Sequence, residues 1–334
     1  MILLKGSTTV SVLIRPKVTA FTTLAVAAAL TLSACGGPAK DASASASASK
    51  VSFNTSPDQN RYSAPKDDSI AAEVPAAIRS RGTLEIGNSK GSTAPLTFFA
   101  TDNKTLIGVE TDMAYAIASV LGLKVHYNPV SFEQVFVGLD SGKYDVGVTN
   151  ITVTELRKQK YDMATYRKDA QAFEAKKGAT WHVTGPKDVA GKTIAVPTGT
   201  SEEKALLDWS AQNVKAGRKP INVKYYQDES AVYLALQSGQ IDAYLHPNPE
   251  AQYHASVSGQ TQVVGEIIGS GKNLEGLIAA TTKKGNGLGK PLNDAINYLI
   301  KKGVYGKILA RWDLTSDGVS TSLLNPPGLP IEKK

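Results

Sequence analysis

A chain of 334 residues, 42% hydrophobic and 20% charged, is long enough for two domains at roughly 100–200 residues each. That balance excludes wholesale disorder and collagen-like order, and a single cysteine excludes an intramolecular disulfide or a multi-cysteine metal site. The net charge of +7 comes without an RNP motif, zinc finger or aromatic-interleaved basic stripe, so no nucleic-acid partner is expected.

Lys5, Arg15 and Lys17 are the charges before Cys35, and an apolar run follows over 18–34. A basic start, an apolar middle and small residues at the cut are the marks of an export signal, expected over 1–34. The run is shorter than the roughly 20 apolar residues of a spanning helix. Its end, Leu32-Ser33-Ala34-Cys35, resembles a bacterial lipobox, which implies cleavage before Cys35 and lipid attachment to its sulfur. Cleavage there lowers the net charge to +4. Residues 35–70, with their alternating Ala and Ser, are expected to be the lipidated Cys and a flexible linker. About 35 such residues span roughly 30–35 Å.

From Pro75 onward short apolar runs alternate with amphipathic stretches. Strands are expected over 83–87, 124–128 and 144–149, with helices over 110–121 and 132–139 between them. Met113, Ile117, Val120 and Leu121 recur at helical spacing, and Gly122 stops that helix. A second series follows Trp181, with a short turn-helix over 185–191. Its strands are expected over 193–196, 223–226 and 241–245, and its helices over 201–214 and 230–238. Helices over 290–302 and on to Trp312 close the fold, and 315–334 reads as an extended tail. Strands alternating with helices predict an α/β fold with mostly parallel sheets, in two lobes.

Several segments stand in a telling order. Gly82-Thr-Leu-Glu-Ile-Gly87, Leu106-Ile-Gly-Val-Glu110-Thr-Asp112 and Leu139-Asp-Ser-Gly-Lys-Tyr-Asp145 come first. Thr149-Asn150-Ile151-Thr152-Val153-Thr154-Glu155-Leu156-Arg157 and Gly191-Lys-Thr-Ile-Ala-Val-Pro-Thr-Gly-Thr200 follow. Leu236-Gln-Ser-Gly239-Gln-Ile-Asp242-Ala243 and Gly303-Val-Tyr-Gly-Lys-Ile-Leu-Ala-Arg-Trp312 complete the set. Over roughly 75–312 the chain resembles the family 3 solute-binding proteins of ABC importers, receptors for polar amino acids. The resemblance implies a two-lobed periplasmic-binding-protein-like fold of type II. Lobe 1 would comprise 75–166 plus 275–314, and lobe 2 residues 171–270. Two crossover strands would lie within 166–175 and 271–280, and solute would be trapped as the lobes close. It also implies an ABC permease and ATPase as partners, a place on the outer face of the cytoplasmic membrane, no cofactor and no catalysis.

A small zwitterion needs a cation for its carboxylate, donors around it and a flat apolar surface. Arg157 can fork two N–H bonds onto a carboxylate; alone it would read as a solvated helix charge. The resemblance places Arg157, Thr149, Asn150 and Thr152 in the cleft, with Phe132 against the solute and Thr93 near its wall. Thr200 and Ser201 match ligand-touching positions of the second lobe, where backbone N–H groups at a helix start attract anions; simple capping is the compatible alternative.

The chain departs from the family where the solute's ammonium usually meets an aspartate, five residues after the Asp of Gly239-Gln-Ile-Asp242-Ala243. Pro247 stands there. Asn248 or His246 could accept a weaker hydrogen bond, Glu202 could supply the charge, or the solute could be a modified or N-acylated compound. Met163 and Tyr166 stand where the family often has Phe and Pro, and are expected to alter the cleft edge.

Relatives of this fold include a cyclic amino acid dehydratase, so an enzyme is the alternative reading, with Glu110, Asp112, Glu133 and Glu202 as candidate acids or bases. Glu110 and Asp112 also suit a helix start. A sensor presenting solute to a receptor is the third possibility. His126, His182, His246 and His254 are scattered without a ligand-pair spacing, so no metal site is expected.

Overall fold

A computed structural model describes residues 52–89, 93–226, 228–268 and 275–330. The expected signal segment, Cys35 and the Ala/Ser run lie outside these residues.

The first series begins with α1 (Asp68–Glu73), capped by the Asp67 carboxylate, and α2 (Ala76–Arg81), stopped by Gly82 in the left-handed region. β1 (Thr83–Ser89), the β2 (Phe98–Phe99) and β3 (Leu106–Ile107) hairpin, and α3 (Val109–Leu121) follow. The α3 helix ends at Gly122 in the left-handed region, as its pattern predicts. β4 (Lys124–Val130) leads to α4 (Phe132–Ser141), which opens with a Ser131/Gln134 capping box. β5 (Val146–Gly147) is shorter than the strand expected over 144–149, because the chain turns away at Asn150, φ 53°. α5 (Glu155–Lys158) is one turn.

β6 (Tyr161–Lys176) is 16 residues long and passes from one half of the molecule to the other. The second series comprises β7 (Thr193–Ala195), α6 (Ser201–Lys215), β8 (Asn222–Lys224), α7 (Glu229–Ser238) and β9 (Ala243–Pro247). Two elements absent from the sequence reading come next, α8 (Asn248–Ser258) and β10 (Thr261–Ile268). β11 (Gly276–Lys283), α9 (Gly289–Lys301) and α10 (Val304–Arg311) return to the first half.

One sheet runs in the order β4-β1-β5-β11-β6-β9-β7-β8, with β10 also on β6. β1 is parallel to β4 and β5, and β7 is parallel to β8 and β9, as helical crossovers require. β6 lies antiparallel to its neighbours, with Asp169 paired to Gly276 of β11 and Ala170 to Ile268 of β10. The two returning strands therefore lie end to end along β6. Met113, Ile117 and Leu121 of α3 pack with Leu292, Ile296 and Leu299 of α9 in the first core. Phe173, Ile194, Leu206 and Leu245 form the second.

Gly108 joins β3 to α3 at φ 121°, and a Cβ there would stand 2.1 Å from the Leu96 carbonyl oxygen. That carbonyl accepts from the Glu110 N–H, so it cannot retreat without releasing the helix start. Gly108→Ala is expected to cost about 1–3 kcal/mol, read as a lower thermal midpoint; an unchanged midpoint would show that the close approach is not needed.

The flexible linker expected over 35–70 does not reach 70. Residues from 52 onward lie on the body because they carry partners for it. Phe53 stacks on Tyr253 of α8 (5.1 Å) and lies 5.2 Å from Trp312, ring centre to ring centre. Arg61 pairs with buried Asp112, and Arg311 donates to Gln59. The C-terminal segment opens with a 3-10 turn over Thr315–Asp317 and is bound to the body: Asn325 N–H donates to the Met163 carbonyl of β6, and Leu329 N–H to that of Val153. Met163 and Tyr166 are fully buried rather than at the cleft edge, where they were expected.

Candidate binding cleft

Parallel strands all point their carboxyl ends the same way, and open α/β sheets gather their ligand sites there. Here Ser89 ends β1, Ser131 and Phe132 follow β4, and Thr149 and Asn150 follow β5. From the second series, Thr198, Thr200, Ser201 and Glu202 follow β7, Tyr226 and Glu229 follow β8, and Pro247 and Glu250 end β9 and open α8. These residues line one cavity of 540 Å³, a volume suited to a small molecule.

Bonds beside the cavity join the two halves. The Thr152 hydroxyl donates to Asp169 (2.8 Å) and stands 2.9 Å from the Ser201 hydroxyl, which donates to Glu202 (3.0 Å). At the other end Thr93 N–H donates to Glu250 Oε1 (3.2 Å), and its hydroxyl donates to Glu229.

Six of the residues expected at the site line the cavity: Phe132, Thr149, Asn150, Thr200, Ser201 and Glu202. The Thr149 hydroxyl accepts from the Ser89 N–H at 2.9 Å. Asn150 is oriented by fully buried Arg167, which donates to its side-chain oxygen. Thr200 caps α6: its hydroxyl accepts from Glu203 N–H (3.1 Å) and donates to the Pro197 carbonyl (2.8 Å). The anion site expected of the neighbouring amides is partly taken, since Gly199 N–H donates to Glu203 at 2.6 Å.

Thr152 and Thr93 stand behind the lining, in the bonds that join the halves. Arg157 also stands behind it. Its guanidinium donates to the carbonyls of Thr152 (2.9 Å) and, across the junction, Gly199 (3.3 Å), and lies 5.4 Å and 5.1 Å from the ring centres of Phe132 and Phe136. Loss of water there pulls its pKa down to about 10, against the attraction of Glu202 and Asp169. Asn248 sits in the first turn of α8, away from the lining, with a buried side-chain oxygen that has no partner among the described residues.

Burial, and then repulsion from Asp169, raises the Glu202 carboxyl. The sequence reading missed Glu229 and Glu250. Burial, with repulsion from Glu250, pushes Glu229 up to about 7. Behind them fully buried His246 stands with Nε2 2.8 Å from Glu174 Oε2. Burial would lower its pKa, but the hydrogen bond to Glu174 and the pull of the nearby Glu250 carboxylate prevail and hold it at about 9. Burial would raise Glu174, but bonds from His246, His254 and Thr261 bring it to about 2.

Two acids considered for catalysis, Glu110 and Asp112, are fully buried in the first core, away from the cavity. Glu110 bonds Tyr166 and Arg167; Asp112 bonds Arg61, Arg311 and the Trp312 indole N–H. Glu133, by contrast, is in the lining.

Residues 85–315 match the model of the bacterial extracellular solute-binding proteins, family 3. The L-cystine-binding protein TcyJ of Escherichia coli is 30% identical over 238 residues, 70% of this chain and 84% of TcyJ. The arginine-binding protein ArgT of Corynebacterium glutamicum is 27% identical over 259 residues, 77% of this chain and 82% of ArgT. Among solved structures, an ancestral arginine-binding protein bound to arginine superposes with a TM-score of 0.61 at 30% identity, covering 70% of this chain and 98% of that one. The fold, the cleft at the strand ends and these likenesses agree, and the chain belongs to the bacterial extracellular solute-binding proteins, family 3.

Proposed function

We propose that this chain captures an amino acid or amino-acid derivative in the cleft and delivers it to an ABC permease, by binding rather than catalysis. The observation that carries the reading is the charge layout of the cavity. Thr149 and Asn150 line the first-series end with Arg157 behind them, and buried Glu202 lines the cavity from α6. A zwitterion laid between them places its carboxylate toward Arg157 and Asn150 and its ammonium on Glu202, which takes the part Pro247 leaves open. Solute touching both series stabilises the closed arrangement over an open one. Export, and lipid attachment at Cys35 to the outer face of the cytoplasmic membrane, complete the proposal; the lipobox-like run supports them.

Calorimetric titration of the solute-stripped full chain tests the reading. The panel holds the twenty amino acids, L-cystine and their N-acetyl forms. Binding of a free α-amino acid is the expected result, weakened at least tenfold in Glu202→Gln, whose amide no longer attracts an ammonium. Heat from an N-acetyl form with silence from every free amino acid would replace the ammonium assignment.

A further inference from the structure

The sequence reading expected no metal site, because no two histidines are spaced as ligands. The folded chain nonetheless gathers three candidate ligands: α7, β9 and α8 bring Glu229, His246 and Glu250 together. One ligand atom from each lies within 4.8 Å of the others. We propose that Glu229, His246 and Glu250 form a binding site for a first-row divalent transition metal ion, with Zn²⁺ as reference ion, in the wall of the cleft.

The orphaned histidine nitrogen carries the argument furthest. His246 is fully buried, its Nε2 is engaged by Glu174, and its Nδ1 has no hydrogen-bond partner among the described residues. That Nδ1 lies 3.8 Å from Glu250 Oε2. This is too long for a hydrogen bond, but two atoms each about 2.0–2.2 Å from one ion are separated by roughly 3–4 Å. A carboxylate on the far nitrogen is the usual brace of a metal-bound histidine, fixing its tautomer and its aim. The Tyr244 ring, stacked on the imidazole at 4.0 Å, fixes its plane.

The two glutamates are braced as well. Thr93 N–H holds Glu250 Oε1, and the Thr93 hydroxyl holds Glu229 Oε2, so each carboxylate keeps its second oxygen for an ion. Thr93 comes from the first series, so both braces are made only while the cleft is closed. One imidazole with two carboxylates suits zinc and its neighbours, whereas magnesium and calcium take oxygen ligands throughout. Three protein ligands leave a coordination position free, as in zinc sites that bind a further group. Because Glu229 and Glu250 line the cavity, that position opens toward the solute.

The test strips the full chain with EDTA, removes the chelator and titrates Zn²⁺ by calorimetry, with Co²⁺ absorption as a second readout. One Zn²⁺ per chain is expected, displacing Co²⁺ and its visible band. Glu229→Gln with Glu250→Gln should weaken Zn²⁺ at least ~100-fold and abolish the Co²⁺ band. A thermal melt without metal checks that this double variant is folded, and Glu250→Gln alone serves if it is not. No Zn²⁺ binding, or binding indifferent to these changes, overturns the proposal. So does a third outcome, in which the chain binds no Zn²⁺ and an amino acid binds in EDTA but is lost in the double variant. The two carboxylates then hold the solute's own cation, and the amino-acid reading stands. Variant-sensitive Zn²⁺ binding without affinity for any member of the solute panel supports the metal site and removes the amino-acid reading instead.

Discussion

Arg157→Ala is expected to weaken binding of a carboxylate-bearing solute by on the order of 30-fold to several thousand-fold, equivalent to about 2–5 kcal/mol. The guanidinium is drawn out of water between Phe132 and Phe136, and its partners are carbonyl oxygens rather than a carboxylate. Glu202 and Asp169 attract it without bonding to it, and a carboxylate in the adjoining cavity supplies a direct charged partner. Arg157→Lys should recover only part of the loss, because an ammonium keeps the charge but not the planar fork. Calorimetry on both variants decides the matter, beside a thermal melt that separates lost binding from lost folding. Affinity unchanged in Arg157→Ala would take Arg157 out of the site and leave it as a tie between Thr152 and Gly199.

Glu110→Ala should produce the largest loss of stability, about 3–5 kcal/mol. Glu110 and Arg167 are both fully buried, with Glu110 Oε1 3.4 Å from an Arg167 guanidinium nitrogen, and the Tyr166 hydroxyl bonds the same carboxylate. Removing the acid takes away the fully buried partner of this guanidinium and leaves it with Asp317, at 3.4 Å, and the Asn150 side-chain oxygen. Burial raises the Glu110 carboxyl, with Arg167 and Tyr166 opposing it, so the pair is held by its partners and not by any ease of ionising there. Replacing both partners, Glu110→Met with Arg167→Met, should recover part of the loss, since no fully buried charge is then unpaired and the carboxylate left behind, Asp317, is partly exposed. Arg167 also orients Asn150 in the cavity lining, so Glu110→Ala should lower solute affinity too, although Glu110 touches no solute. A shift in the denaturation midpoint equivalent to less than about 1 kcal/mol would mean that the pair is not coupled to the fold.

The strands and helices of both βα series were legible because their signals are local. Met113, Ile117 and Leu121 keep a helical period, and Gly122, Gly142 and Gly239 close three helices in the left-handed conformation. Helix α8 was not legible. It opens with Asn248-Pro249-Glu250 and offers only a faint apolar stripe, so nothing in its pattern announces a helix. Missing α8 also hid Glu250, which stands one turn past Pro247. The linker was carried too far for a related reason. Arg61 and Phe53 look like ordinary surface residues until Asp112, Tyr253 and Trp312 are folded beneath them.

Within the cleft, motif order placed Thr149, Asn150, Thr200, Ser201, Glu202 and Phe132 because each follows a strand end, and strand ends can be read along the chain. The sequence by itself determined the two βα series, their helix caps, the family and part of the lining. Only the tertiary structure decided which carboxylates share the cavity, that Arg157 lies behind its surface, that Glu110 is a buried partner of Arg167, and that Glu229, His246 and Glu250 meet. The physical reason is separation. Periodicity and capping depend on neighbours within a turn or two, whereas the meeting of distant charges depends on how β6 registers against β9, β10 and β11 and brings the ends of two strand sets to one place.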